Sequence, residues 1–209
     1  MSYNIDEVMT AAPVVPVLVI EKLEHAVPLA KALVAGGLRV LEITLRTDCA
    51  LEAIRAMKDA VPEAIVGAGT VNTPELLDAA VAAGSDFLVS PGSTPALIDK
   101  ALSQSVPLLP GVNSPSEVMA LLERGISRMK FFPAEAAGGM PMLKSIHGPL
   151  PQALFCPTGG INLEKAKQYL ALPNVACVGG SWLAPAELMA EGRWDEITAL
   201  AAEAAALAN

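Results

Sequence analysis

Short runs of apolar residues alternate with longer stretches of helical periodicity along the chain. The runs are rich in Val, Ile and Leu and end at turn residues, which is typical of buried strands. There are eight, at residues 14–20, 40–45, 65–69, 87–90, 107–110, 128–133, 154–158 and 175–179. Apolar positions between and after them recur every three or four residues, which predicts a helix in each interval. Strands that alternate with helices predict a parallel sheet.

Helix start and stop signals fall at the boundaries of these segments. Three hydroxyl residues that precede a proline are expected to be N-caps: Thr73, Thr94 and Ser114. Three glycines stand where helix ends need a left-handed residue: Gly36, Gly84 and Gly125. The signals agree with the division into strands and helices.

A closed (β/α)8 TIM barrel is the leading architecture for this pattern. An open doubly wound sheet is the alternative, and it is disfavoured because no Gly-x-Gly-x-x-Gly turn follows the first strand. Residues 3–11 are expected to form a helix that covers the bottom of the barrel. We expect residues 1–209 to form one barrel domain, since no linker or low-complexity tract divides them.

Composition narrows the environment in which the chain works. Hydrophobic residues make up 53% and charged residues 17%, which excludes a disordered chain. The sequence predicts neither a transmembrane helix, since no apolar stretch reaches about 18 residues, nor a signal peptide. Three widely spaced cysteines suit reduced thiols, so a cytoplasmic location is expected.

Charge and histidine content argue against two kinds of partner, nucleic acid and a metal ion held by histidines. A net charge of −8 argues against nucleic acid, because such binding needs Lys and Arg to neutralise phosphates. It does not exclude a phosphorylated small molecule, which backbone N–H groups can hold. The two histidines, His25 and His147, have no metal-binding spacing, so no metal site is expected.

The second predicted strand has a polar face. Residues 41, 43 and 45 are aliphatic and are expected to pack against helices, whereas the opposite face carries Glu42, Thr44 and Arg46. Such groups are costly inside a barrel unless they are paired or used in the function. A structural ion pair between Glu42 and Arg46 is the non-functional alternative.

Lys130 is a single lysine in the apolar run of the sixth predicted strand. Removal from water disfavours an ammonium, and a neutral amine can attack a carbonyl to form a Schiff base. The alternative is a lysine whose stem covers apolar surface while its head reaches water. Strands two and six of a barrel contribute to common layers, so Glu42 and Lys130 are expected to meet. A carboxylate beside such an amine could carry protons.

Several predicted strands end in glycine-rich or polar turns. The relevant stretches are Gly67-Ala68-Gly69-Thr70, Ser90-Pro91-Gly92, Pro157-Thr158-Gly159-Gly160 and Gly179-Gly180-Ser181. Glycine-rich loops after the seventh and eighth strands of this architecture commonly bind phosphate. The alternative is that they are tight turns without a ligand.

With these motifs in order, the chain resembles the bacterial 2-keto-3-deoxy-6-phosphogluconate (KDPG) and 4-hydroxy-2-ketoglutarate (KHG) aldolases. The motifs that carry the resemblance are GLRVLEITLRT at 37–47, VGAGT at 66–70, FFPAE at 131–135, FCPTGG at 155–160 and VGGSW at 178–182. The resemblance implies a metal-free class I aldolase without a cofactor, working as a homotrimer. It further implies a substrate that is a phosphorylated keto acid, and pyruvate as a product.

The resemblance also suggests roles for individual residues. Lys130 matches the Schiff-base lysine and Glu42 the general acid and base. Arg46, Thr70 and Pro91 match contacts to the pyruvate portion, and Phe132 matches an aromatic wall beside the imine. The remaining substrate and phosphate contacts that it implies are Thr158, Gly159, Gly160, Gly179, Gly180 and Ser181.

Other functions stay open on the sequence alone. A sugar-phosphate isomerase or epimerase would share the anion site but would not explain Lys130. A metal-dependent aldolase, an aldolase for a related 2-keto-3-deoxy acid and a non-catalytic ligand-binding barrel are further alternatives. Glu135, in the loop after the sixth strand, is a candidate for supporting the site residues, but its spacing does not settle that role.

Overall fold

The computed structural model describes residues 3–207 as an α/β fold with parallel strands. The strands are β1 Val14–Leu18, β2 Val40–Thr44, β3 Ile65–Gly69, β4 Leu88–Val89, β5 Leu108–Leu109, β6 Gly111–Val112, β7 Arg128–Phe131, β8 Leu154–Pro157 and β9 Val178–Gly180. The α-helices are α1 Ile5–Thr10, α2 Ala26–Ala35, α3 Ala50–Ala60, α4 Pro74–Ala82, α5 Pro95–Leu102, α6 Pro115–Glu123, α7 Gly139–His147, α8 Leu163–Leu170, α9 Ala186–Ala190 and α10 Trp194–Ala205. A 3-10 turn at Leu23–His25 precedes α2.

The strands form two parallel sheets. Six strands lie in the order β5-β4-β3-β2-β1-β9, and three lie in the order β6-β7-β8. The predicted fifth strand, at 107–110, is observed as β5, and the chain continues past Pro110 as a further strand, β6. β5 pairs with β4, β6 pairs with β7, and the Pro110 carbonyl accepts from Lys130 N. Proline has no N–H to donate to a ladder, so the segment changes partner there. The predicted sixth, seventh and eighth strands are β7, β8 and β9.

The predicted α/β class with a parallel sheet is confirmed, but the closed eight-stranded barrel is not. Between the two sheets, the described residues form two isolated bridges: Phe155 in β8 pairs with Val175, and Thr158 pairs with Gly179 in β9. The break at Pro110 and these short bridges replace the continuous ladders that the prediction required.

Helix α1 packs over the amino ends of the strands, and the predicted N-terminal helix is confirmed. Asn4 and Glu7 form a capping box at its start, and Asp6 accepts from Arg128 Nε at 2.5 Å. Val8 and Met9 are buried in a cluster that also contains the first residues of β2 and β3. The helix therefore closes the end of the fold opposite to the carboxyl ends of the strands.

The core has two parts. The larger cluster lies between the strands and the helices, and it includes Leu41 and Ile43. The smaller cluster draws side chains from both sheets, among them Val15 and Leu109 from one and Cys156 from the other. The two sheets thus enclose a common apolar interior.

The predicted helix caps are mostly confirmed. The side chains of Thr73, Thr94 and Ser114 accept backbone N–H groups at the starts of α4, α5 and α6. Gly84 and Gly125 are left-handed, with φ of 89° and 76°. The prediction for Gly36 was wrong, since its φ is −79° and the left-handed residue is Gly37.

Two expectations from composition concern the described residues. All three cysteines are free, as predicted. None of the helices within residues 3–207 is long and apolar enough to cross a membrane.

Candidate active site

Lys130 and Glu42 form a buried ion pair. Lys130 is the third residue of β7 and Glu42 the third of β2, and Nζ lies 3.1 Å from Oε1. Their side chains are only 5% and 4% exposed. The predicted meeting of these residues is confirmed, and the alternative of a lysine head in water is wrong. An amine and a carboxylate removed from water need each other, because either one alone would be costly.

The room for Glu42 comes from β3. Glu42 and Thr44 pair in register with Gly67 and Gly69. A Cβ at Gly69 would overlap the Glu42 carboxylate, so only glycine leaves this space free. The sequence therefore supplies both the polar side chain, Glu42, and the space that it occupies next to Gly69.

Arg46 lies beyond the buried pair, at the end of β2. It is exposed, and its Nε donates to Thr70 Oγ1 at 3.1 Å. Thr70 has a φ of 60°, which is uncommon for a non-glycine residue and is often found at functional sites. Since Glu42 is bonded to Lys130, the alternative of a Glu42–Arg46 ion pair is wrong. The buried hydroxyl of Thr44, the third polar group on this face of β2, is satisfied because it donates a hydrogen bond to the Leu18 carbonyl.

Phe132 and Pro91 border the strand that carries Lys130. The Phe132 ring centroid lies 5.4 Å from Lys130 Nζ. Gly111 pairs in register with Lys130, and a Cβ there would overlap the backbone of Pro91. Both residues therefore lie next to the segment that holds the amine.

The two glycine-rich turns meet at Thr158. Its side chain is buried, it bridges to Gly179, and a Cβ at Gly179 would overlap its hydroxyl. Gly159 and Gly160 follow with φ of 108° and 75°. A Cβ at Gly159 would lie 3.5 Å from the Phe132 ring. The turn after β8 thus contacts both the turn after β9 and the wall beside Lys130.

Ser181 is exposed at the end of β9, directly after Gly180. It lines a cavity of about 260 Å³ together with Val17, Lys22 and His25. Neither Lys130 nor Glu42 is among the described residues that line this cavity. Ser181 is therefore the predicted site residue that the structure links least directly to the buried pair.

Two thiols lie beneath the site. A hydrogen bond with Cys156, followed by burial, raises the pKa of the Cys177 thiol well above its ordinary value. Cys177 therefore stays protonated at neutral pH, and a protonated thiol is a poor nucleophile.

The contacts of one group beside the site were not found by sequence reasoning. Glu135 bonds to Lys165 and Tyr169 on α8, next to the Gly160 turn. These partners are 30 and 34 residues away, and no spacing rule connects a loop residue to them. The only sequence signal was its place in the FFPAE motif after Lys130.

The arrangement suits a reaction in which an amine forms a covalent bond to a carbonyl carbon. Lys130 can act as the nucleophile, and Glu42 lies within reach to move protons to and from it. The Arg46 guanidinium can bind a carboxylate in a bidentate manner. Within residues 3–207, no group of three or more His, Cys, Asp or Glu side chains is placed to hold a metal ion.

Comparison with known proteins shows the family of this chain. The sequence model described as KDPG and KHG aldolase matches residues 5–200. The 2-dehydro-3-deoxy-phosphogluconate aldolase of Dickeya dadantii is 56% identical over 201 residues, which is 96% of this chain and 94% of that protein. The KHG/KDPG aldolase of Escherichia coli is 54% identical over 199 residues, covering 95% and 93%.

Two solved structures are similar along nearly their whole length. The KDPG aldolase of Legionella pneumophila, captured with pyruvate as a covalent carbinolamine, superposes with a TM-score of 0.94 at 50% identity. The match covers 96% of this chain and 97% of that one. The aldolase of Zymomonas mobilis with 3-phosphoglycerate gives a TM-score of 0.92 at 55% identity, covering 97% and 95%.

Proposed function

This chain belongs to the KDPG and KHG aldolase family, and we propose that it is a class I aldolase. Its substrate is 2-dehydro-3-deoxy-6-phosphogluconate, which it cleaves to pyruvate and glyceraldehyde 3-phosphate. The observation that carries the proposal is the buried Lys130–Glu42 pair, with 3.1 Å between Nζ and Oε1. A related enzyme holds pyruvate as a covalent carbinolamine, which is the chemistry this pair suits.

The reaction begins at Lys130. Glu42 accepts a proton from the ammonium, and the neutral amine attacks the ketone at carbon 2 of the substrate. Glu42 then returns this proton to the hydroxyl of the carbinolamine, which leaves as water and gives a protonated imine. Phe132 stands beside the amine and keeps water from that side of the site.

The protonated imine is an electron sink for cleavage. Glu42, directly or through a water, takes the proton of the C4 hydroxyl, and the bond between C3 and C4 breaks. Glyceraldehyde 3-phosphate leaves with a new carbonyl at the former C4, and the electron pair forms an enamine on the pyruvate portion. A proton then adds to C3, and water hydrolyses the imine to release pyruvate and regenerate Lys130.

The remaining site residues bind the substrate. Arg46 takes the C1 carboxylate, with Thr70 and Pro91 against the pyruvate portion. The phosphate end is bound by the two glycine-rich turns, through Thr158, Gly159, Gly160, Gly179, Gly180 and Ser181. Support for this division comes from the placement of these residues at or just after the carboxyl ends of β2, β3, β4, β8 and β9.

A second substrate follows from the relatives. The Escherichia coli protein is named a KHG/KDPG aldolase. We infer that this chain also cleaves 4-hydroxy-2-oxoglutarate to pyruvate and glyoxylate. The same imine at Lys130 and the same proton transfer at Glu42 serve both substrates, since the broken bond is equivalent.

Fold closure and assembly belong to the same proposal. We propose that residues 1–209 form one (β/α)8 barrel domain, supported by the interior cluster that joins both sheets and by the bridges between β8 and the β9 segment. The family resemblance further supports a homotrimer. Free cysteines support a cytoplasmic enzyme, and we propose that it works without metal, cofactor, nucleic acid or membrane partner.

The test is pyruvate release from a panel of keto acids, each with and without a terminal phosphate, in the presence and absence of EDTA. We expect cleavage of 2-dehydro-3-deoxy-6-phosphogluconate that EDTA leaves unchanged. Loss of activity in EDTA would indicate a metal-dependent aldolase instead. Turnover without carbon–carbon cleavage would indicate an isomerase or epimerase.

A further inference from the structure

The loop after Lys130 carries a carboxylate, Glu135, that the proposed reaction does not use. Its two oxygens have different partners: Oε2 accepts from Lys165 Nζ at 2.5 Å, and Oε1 accepts from the Tyr169 hydroxyl at 2.6 Å. Lys165 and Tyr169 lie one turn apart on α8, which begins just after the Gly159–Gly160 turn. Glu135 thus fastens the loop after β7 to the helix that follows the turn.

The same residues hold the backbone of the turn. Glu135 N donates to the Gly159 carbonyl at 3.2 Å, and Lys165 Nζ donates to the Gly160 carbonyl at 3.3 Å. A Cβ at Gly160 would lie 2.8 Å from Glu135 Cγ, so the stem of Glu135 packs directly on the turn. Movement of Glu135 would therefore release one side of the turn.

The charges of the network are balanced. Hydrogen bonds from Lys165 and then Tyr169 hold the pKa of Glu135 below its ordinary value, so Glu135 is ionised at neutral pH. Burial, followed by the bond to Glu135, raises the pKa of Tyr169, so its hydroxyl remains a donor. Lys165 supplies the compensating charge. Without it, Glu135 would place an unpaired negative charge beside a turn that has to accept a phosphate.

We propose that Glu135, together with Lys165 and Tyr169, is a positioning group that shapes the Gly159–Gly160 turn for the phosphate end of the substrate. The inference rests on the proposed function, in which this turn contacts the phosphate. The network does not touch Lys130 or Glu42 in the described chain. Its effect therefore falls on the binding of phosphorylated keto acids, and imine formation at Lys130 is independent of it.

The test compares two substrates that differ only in the phosphate. In Lys165→Met, KM for 2-dehydro-3-deoxy-6-phosphogluconate is expected to rise about tenfold or more, since small misplacements of a binding group have large effects. KM for the same keto acid without its phosphate is expected to stay within about twofold of wild type, because this substrate lacks the group that the turn positions. Lys167→Met is the matched control, because Lys167 is exposed on the same helix and its loss changes the net charge equally.

Two further variants separate charge from structure. In the double variant Lys165→Met with Glu135→Gln, the unpaired negative charge is removed and the amide oxygen still accepts from Tyr169. Its KM for the phosphorylated substrate is expected to lie between those of Lys165→Met and wild type. Tyr169→Phe keeps the buried ring and removes only the hydroxyl, and it should raise the same KM. Equal KM increases for both substrates, or an equal effect of Lys167→Met, would overturn the inference.

Imine trapping with pyruvate reports the proposed function separately. In each variant, borohydride should reduce the imine between Lys130 and pyruvate as efficiently as in wild type. Absence of trapping in wild type would overturn the aldolase proposal. Normal trapping with an unchanged KM for the phosphorylated substrate in Lys165→Met would overturn only the role of the Glu135 network.

Discussion

At the scale of single residues, Glu42 reaches Lys130 because Gly69 has no side chain. The two charged groups come from β2 and β7, which lie in different sheets. The space between them is bounded by β3, where Gly69 faces the Glu42 carboxylate. The buried pair thus depends on a neighbouring residue that has no side chain of its own.

Gly69→Ala tests this dependence. The new methyl group would overlap the carboxylate and displace it from Lys130, and we expect turnover to fall by about 100-fold. Steady-state pyruvate release measures the effect, with Gly148→Ala as the control. Gly148 is exposed with a φ of −56°, and a Cβ there meets only the Ser145 carbonyl at 4.0 Å. Wild-type turnover in Gly69→Ala would mean that the position of Glu42 is not important.

Glu42→Gln tests the proton transfer itself. The amide keeps the size of the side chain but cannot accept the C4 hydroxyl proton, so turnover should fall by about 10²–10⁴-fold. Trapping of pyruvate on the enzyme should remain detectable, since Lys130 is intact. The two measurements together separate a proton carrier from a structural partner: unimpaired cleavage would remove Glu42 from the mechanism.

Residues of the buried pair could be found from the sequence because they break a strand pattern. A lysine or a glutamate on an otherwise apolar strand stands out against a period of two. Arg46 stood out in the same way, but its bond to Thr70 did not, because a contact between two strand ends needs the register. Glu135, Lys165 and Tyr169 follow no such period and became visible only in space.

At the scale of elements, helices α2 and α10 approach closely around Gly36. A Cβ at Gly36 would overlap Ala201 Cβ and the Thr198 carbonyl. The Thr198 hydroxyl donates to the Ala32 carbonyl at 3.0 Å, which ties the end of α2 to α10. The sequence suggested a left-handed helix cap at this position, whereas the structure requires the glycine for packing between helices.

Gly36→Ala is expected to destabilise the protein by about 1–3 kcal/mol, the usual range for overpacking a tight contact. Urea unfolding measures the change, and turnover of the folded protein should stay near wild type, because the contact is between helices and away from Lys130. The same substitution at Gly148 should leave the free energy of unfolding almost unchanged. A stable Gly36→Ala protein would contradict the close helix contact.

Local signals in the sequence were sufficient to predict most of the helices and strands. A hydroxyl residue before a proline specifies a helix start within a few residues, and Ser114 shows this with its capping box. The split between β5 and β6 was not predicted, because Pro110 at the end of an apolar run looks like a strand end. The change of partner strand at that proline depends on what lies on either side in space.

At the scale of the whole molecule, eight apolar runs between helices predicted the architecture but not how the two sheets meet. The proposed closure depends on short contacts between β8 and β9 and on a change of partner at Pro110. Such contacts involve few residues and leave no pattern in the sequence. The shared interior cluster is the better argument that the sheets act as one unit.

The proposed trimer gives a direct prediction. Sedimentation equilibrium should give a mass three times the 21.6 kDa of the chain at concentrations used for activity assays. A mass of one chain under the same conditions, with full activity, would remove the trimer from the account.

The central claim is that Lys130 forms the covalent bond to the substrate. The most direct measurement is borohydride reduction in the presence of pyruvate, followed by mass spectrometry of the digested protein, with Lys130→Met as the control. The account predicts a stable pyruvate-derived mass on the peptide that contains Lys130, loss of activity in parallel, and no label in the variant. A label on another lysine, or no label in wild type, would contradict it.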